Sequence, residues 1–204
     1  MRTARSVPVF LTLLTAFVSN SHAVEFVTNG DFSAGNSGFT SAASYVASGA
    51  LSYAQYAVRP SPATANGSWC GVDHTTGTGN MMLVDSVLGT AWSQTVNLSP
   101  GSYVFSLYVM NVLCPENSPL TQPNLELRVN GNTVAGPMSI AQVSGAWVHM
   151  YGTWNVVAAG PVTLVVWSNQ NDVNGADFAL DDISLDGVVA VEESTWGHVK
   201  ALYR

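Results

Sequence analysis

Chemistry needs side chains of suitable type that the chain can hold together, and this sequence offers few. Its 204 residues include 13 Asp and Glu, 6 Lys and Arg, and 4 His. Catalysis by acid and base requires such groups close together with separated pKa values. His74 follows Asp73 directly, but neighbours on an extended chain point to opposite faces. Glu126 is followed two positions later by Arg128, which reads as its ion-pair partner rather than as a second acid. The serine-elbow and HExxH metalloprotease motifs do not occur, and no alternation of acids along a strand supplies a glycosidase pair. The expectation is therefore a protein with no catalytic residues.

Binding chemistry is easier to find. An amphipathic ring such as a sugar is held by an aromatic surface together with planar polar groups. Trp147, His149 and Tyr151 share one phase of an alternating segment. Glu126, Arg128 and Asn130 oppose Leu125, Leu127 and Val129. Tyr108 lies on the polar phase opposite Tyr103, Phe105, Leu107 and Val109, and Trp167 and Asn169 oppose Val162, Leu164 and Val166. If these strands adjoin, the polar-aromatic phases line one sheet surface. Trp147 reads first as a core residue and second as a platform. Trp69, in a Gly/Ser-rich stretch, is either an exposed platform at a loop tip or the cover of a disulfide. Trp92 and Trp154 read as core. The candidate ligand contacts are thus Tyr108, Glu126, Arg128, Trp147, His149, Tyr151 and Trp69.

The carboxylates crowd late in the chain, at Asp172, Asp177, Asp181, Asp182 and Asp186. Phe178 and Leu180 lie on one phase of the last strand, Ile183 and Leu185 on the other. The slip at Asp181-Asp182 is what a β-bulge produces. Two such carboxylates face solvent, accept turn N–H groups, or bind a hard cation such as Ca²⁺, which takes six to eight oxygens. Asp31 in its Gly-flanked turn, and Asp73, are further candidates. The two cysteines of the sequence, Cys70 and Cys114, can pair in an oxidising compartment.

The elements that must position these groups are short strands. Alternation marks 24–28, 81–86, 91–98, 102–111, 124–129, 146–155, 162–168 and 177–185, with a weaker pair at 39–47 and 51–57. Turn signals separate them, and Asn130-Gly131 is the strongest hairpin signal. Only 9% of residues are charged and 47% are hydrophobic, a profile that excludes disorder and long coiled coils. The net charge of −7 argues against nucleic acid as a partner.

Residues 1–23 read as a secretory signal peptide, with Arg2 and Arg5, an apolar run at 7–18 and Ser21-His22-Ala23. That run is too short to span about 30 Å of hydrocarbon, and nothing later in the chain reads as a membrane span. Cleavage removes two of the six basic residues and no acidic one, which leaves a charge of −9. Residues 24–187 then form one all-β, two-sheet sandwich. Residues 188–204 form a tail, either a cap or frayed end or a docking segment, in which Trp196, Val199 and Leu202 share one face of a short helix.

Three segments, in order, resemble galactose-binding-like jelly-roll modules, the fold group of many carbohydrate-binding modules. Asn29-Gly30-Asp31-Phe32 with Gly35 and Gly38-Phe39 is similar to their opening motif, although Ser33 stands where that motif usually has Glu. Residues 178–185, FALDDISL, are similar to their closing strand. Residues 73–82, DHTTGTGNMM, resemble a loop of MAM domains, without the MAM cysteine pattern. The resemblance implies a jelly roll whose first and last strands are neighbours, so that Asp31 and Asp182 share a structural calcium. The expected function is a secreted module, extracellular, at the cell surface or periplasmic, that binds a glycan or another extracellular surface component. A cell-surface adhesion protein using the fold for protein contacts is one alternative, and a jelly-roll hydrolase or lyase is another.

Overall fold

The computed structural model describes residues 23–114, 120–143 and 145–188; the expected signal peptide (1–23) and tail (188–204), but for residues 23 and 188, lie outside them. Among the described residues eleven strands form a two-sheet sandwich: β1 (Ala23–Glu25), β2 (Ser44–Tyr45), β3 (Gln55–Arg59), β4 (Met81–Asp85), β5 (Gly89–Leu98), β6 (Gly101–Asn111), β7 (Asn124–Val129), β8 (Asn132–Ser139), β9 (Val148–Val156), β10 (Gly160–Ser168) and β11 (Phe178–Val188). The larger sheet runs β2-β3-β4-β11-β6-β9, and the smaller runs β5-β10-β7-β8. β1 and β4 share one edge of β11: β4 pairs with its start, β1 with its end. The first and last strands are therefore neighbours.

Alternation decides which face of each strand is buried. Phe105, Leu107, Leu125, Leu127, Leu164, Val166, Phe178 and Leu180 meet between the sheets with Trp92, all without solvent exposure. Trp154 packs at the margin of this core. Asn130 (φ 49°) and Gly131 (φ 81°) close the β7–β8 hairpin with two left-handed residues, as the Asn-Gly pair predicts.

The sequence reading misses β8. Gly136 and Pro137 interrupt its pattern, and as an edge strand with mostly exposed residues it has no buried face to produce alternation. The weak strand expected at 39–47 reduces to Ser44–Tyr45, and the one at 51–57 shifts to Gln55–Arg59.

A second core lies on the outer face of the larger sheet. Residues 46–54 and 60–80, on either side of β3, fold across that face and bury Leu51, Ala65 and Trp69 against Ala57, Met81, Leu83, Met110, Val112 and Ala179. β4 is thereby covered on both sides, so its sequence MMLVD is buried throughout and does not alternate. Arg59, the last residue of β3, is buried beneath this cover, where its guanidinium donates to the carbonyls of Gly49, Thr64 and Val46. Cys70 and Cys114 form a disulfide (Cα–Cα 5.1 Å), flanked by the Trp69–Leu113 bridge.

Candidate binding face

Where the cover ends, the outer face of the larger sheet is open. Tyr108 on β6 stands opposite His149 on β9 and Asp181 on β11; Ser106 stands opposite Tyr151 and Ser184. The inward phase of β6 is fully apolar, which forces Ser106 and Tyr108 outward. From the rim of the cover, His74 stacks on Tyr108 (centroids 3.5 Å, 17°). Tyr108 stacks on His149 (4.7 Å), and His149 on Tyr151 (5.2 Å). Trp147 meets His74 edge-on at 5.8 Å, and its indole N–H donates to the Val72 carbonyl.

Inner rings of such a row have their faces covered by neighbours. Tyr108, between His74 and His149, can offer only its edge, whereas Tyr151 ends the row 61% exposed. Among the described residues the Tyr108 and Tyr151 hydroxyls and the His149 ring nitrogens have no protein partner. The row therefore presents one aromatic face and a line of free polar edges.

The bulge in β11 anchors this arrangement. The register slips between Asp181 and Ser184, and Asp182 takes φ 45°. Asp181, fully buried, accepts the backbone N–H groups of His74, Thr75 and Asp182. Burial pushes its pKa up to about 6, against the pull of those N–H donors. Asp182 binds His74 Nδ1 at 2.6 Å and accepts the Thr75 hydroxyl at 2.7 Å. Asp73 closes its own loop by accepting the N–H groups of Thr76 and Gly79. Asp31 accepts the N–H and hydroxyl of Ser33.

These four carboxylates are the expected calcium ligands. The oxygens of Asp73, Asp181 and Asp182 accept N–H and O–H groups of the 73–79 loop and of the bulge. Among the described residues no three Asp, Glu, His or Cys side chains converge as a metal would need. Asp31 and Asp182 do border a common cleft with Glu25.

Three expected contacts are placed elsewhere. Trp69 is 1% exposed beneath the cover, beside the disulfide, and is not a platform. Glu126 and Arg128 lie on the outer face of the smaller sheet, because β7 pairs with β10 and β8 and not with β6 or β9. The polar-aromatic phases thus form two faces on opposite sides of the sandwich. His74 and Thr75 join this site without having been read as site residues, and Asp182, read as a metal ligand, holds them there. His74 pairs with Asp182, not with adjacent Asp73, and no local signal foretells a partner 108 positions away.

No family model matches the chain, and none of the curated proteins does. Among solved structures it is similar to the CBM22-1 xylan-binding domain from Paenibacillus barcinonensis Xyn10C (14% identity, TM-score 0.50, 86% of this chain and 100% of that one). It is also similar to the CBM22-1-CBM22-2 tandem domain of the same protein (16%, 0.51, 87% and 49%). The Stig cyclase Fisc from Fischerella sp. TAU is a further match (14%, 0.54, 81% and 98%). Identities this low establish architecture alone. The expectation of a two-sheet jelly roll is met: the chain shares the two-sheet β-sandwich fold of these structures, two of them carbohydrate-binding modules.

Proposed function

We propose that the protein is a secreted, non-catalytic module that binds a carbohydrate on the outer face of its larger sheet. The observation that carries this reading is the row His74–Tyr108–His149–Tyr151, with an open ring at its end and unpartnered polar edges along it. The face of Tyr151 suits the apolar side of a pyranose, and the phenol and imidazole edges suit its hydroxyls. Among the described residues the only Arg and Lys are Arg59, which is buried, and Arg128, on the other sheet. With Asp182, Ser184 and Asp186 beside it, the row suits a neutral sugar. Fold likeness to xylan-binding domains supports the same class of ligand. The apolar run at 7–18 and the disulfide support secretion. No helix among the described residues is long and apolar enough to cross a membrane.

The His74–Asp182 pair is the one arrangement that favours a catalytic reading, since a carboxylate at Nδ1 leaves Nε2 as the acceptor. That reading needs a second acid or a nucleophile facing Nε2. Asp73 and Asp181 do not supply it, being buried under their own N–H donors. We further propose that these hydrogen bonds fill the role expected of calcium.

The test is a glycan array and insoluble-polysaccharide pull-down, repeated with Tyr151→Ala and His149→Ala. Each substitution is expected to weaken retention about tenfold, as loss of one aromatic contact of roughly 1.4 kcal/mol would. Both positions are exposed, so melting temperatures should hold. A folded protein that retains no glycan, or full retention by both variants, defeats the reading.

A further inference from the structure

We propose a second binding site, on the outer face of the smaller sheet, in which Arg128 takes the carboxylate of a uronic-acid-bearing polysaccharide. Arg128 points outward because Leu125, Leu127 and Val129 take the inward phase of β7. Its guanidinium carbon sits 4.0 Å from the ring centroid of Trp167. Its Nε donates to Glu126 Oε2 at 2.9 Å.

Glu126 is in turn fixed from two neighbouring strand ends. It accepts the Thr133 hydroxyl at 2.8 Å and the Asn169 amide at 3.0 Å. The hydrogen bond from Arg128 leads the contacts that hold the Glu126 carboxyl below the usual carboxylate range. Only 12% of the Glu126 side chain is exposed, against 23% for Arg128.

An indole thus covers one face of the guanidinium, and a carboxylate occupies its Nε. Both terminal nitrogens remain, with no protein partner among the described residues. A long cationic side chain ordinarily loses rotamer freedom on binding; here that freedom is already removed. Two fixed N–H groups along one edge match the two oxygens of a planar carboxylate.

The surroundings narrow the ligand further. Thr95, Thr163, Thr133, Asn124 and Asn169 give this face hydroxyls and amides. Arg128 is the one solvent-facing Arg or Lys among the described residues. Polyphosphates are bound by several cations acting together. A single fork among hydroxyl-reading groups fits one carboxylate on a sugar ring. This site lies across the sandwich from the ring row and does not depend on it.

Affinity electrophoresis at low salt tests the assignment, using protein recovered from expression of the full chain. The probes are polygalacturonate, its fully methyl-esterified form, and glucuronoxylan. Retardation by an acidic polymer and loss of it on esterification are expected. Arg128→Gln should lower affinity at least about tenfold. Arg128→Lys, which keeps the charge without the fork, should also bind weakly. On polygalacturonate, which has no neutral backbone for the ring row, Tyr151→Ala should be retarded as the parent is. Absence of retardation by both acidic polymers overturns the proposal, as does undiminished binding by Arg128→Gln. A matching loss of polygalacturonate binding in Tyr151→Ala also overturns it, by moving the site to the ring row. Melting curves accompany each variant, and if Arg128→Gln does not fold, Arg128→Lys decides. Retention of uronates alongside failure of every neutral glycan would sink the ring-row reading and leave this one standing.

Discussion

At the scale of single residues, the buried acids are the least expected feature. Asp177 is 7% exposed and lies beside the buried Asp85. Desolvation, and then the charge of Asp85, push its pKa up to about 8, against a pull from Trp69 and the Ser86 backbone. Asp181 is raised to about 6 and Asp85 is raised by burial. All three are raised, so between the ordinary carboxylate value and these values the native state holds more protons than the unfolded one. Their contribution to stability is full below the ordinary carboxylate value and is lost as pH rises towards 8. Thermal melting from pH 5 to 9 should show this decline. Asp177→Asn, which keeps the shape and removes the charge, should flatten it and raise the melting temperature at pH 8 to 9. A variant that melts lower than the parent at pH 9 would contradict the assignment.

The bulged strand controls the site at the scale of elements. β11 feeds the inner core with Phe178 and Leu180, slips at Asp181-Asp182, and re-enters it with Ile183 and Leu185. The slip was legible in the sequence, because a period of two makes any phase change visible. Its consequences were not. The slip clears space for the 28–32 turn, where Ile183 donates to the Gly30 carbonyl at 3.0 Å. A Cβ on Gly30 would lie 1.9 Å from the Ile183 carbonyl oxygen. Gly30→Ala must therefore push the turn off the bulge and should destabilise the fold by at least about 2 kcal/mol. At Gly131, φ is positive but nothing stands within 4 Å of a Cβ, so Gly131→Ala should cost only about 1 kcal/mol. Denaturant titration of the two variants side by side would show the order, and reversal would remove close approach as the reason for Gly30.

For the whole molecule, one cover segment joins stability to function. Residues 46–54 and 60–80 seal the second core, carry Cys70 of the disulfide and end in the loop that delivers His74 to Tyr108. Cys70 N–H donates to the Val112 carbonyl and Cys114 N–H to Ser68, so the bridge closes a short strand-like pairing. Replacing both cysteines by serine should cost about 2–4 kcal/mol. It should also weaken glycan binding by loosening the rim, which affinity measured well below the melting temperature would reveal. If calcium has no structural part, EDTA leaves the melting temperature of the parent unchanged. A drop restored by added Ca²⁺ would point to the cleft between Asp31 and Asp182.

The sequence alone determined what short-range physics encodes. Alternation placed Leu125, Leu127, Phe105 and Leu107 inside, Asn130-Gly131 chose its turn, and the Asp181-Asp182 phase slip announced a bulge. It also marked Tyr108, His149 and Tyr151 as outward. Only the tertiary structure decided which outward phases share a surface, because sheet order depends on contacts far apart in the chain. It set Glu126 and Arg128 on the sheet opposite Tyr108, sank Trp69 beneath a cover built from a loop without regular period, and paired His74 with Asp182. The local pattern says which way a side chain points; burial and strand order, settled over the whole chain at once, say what it meets there.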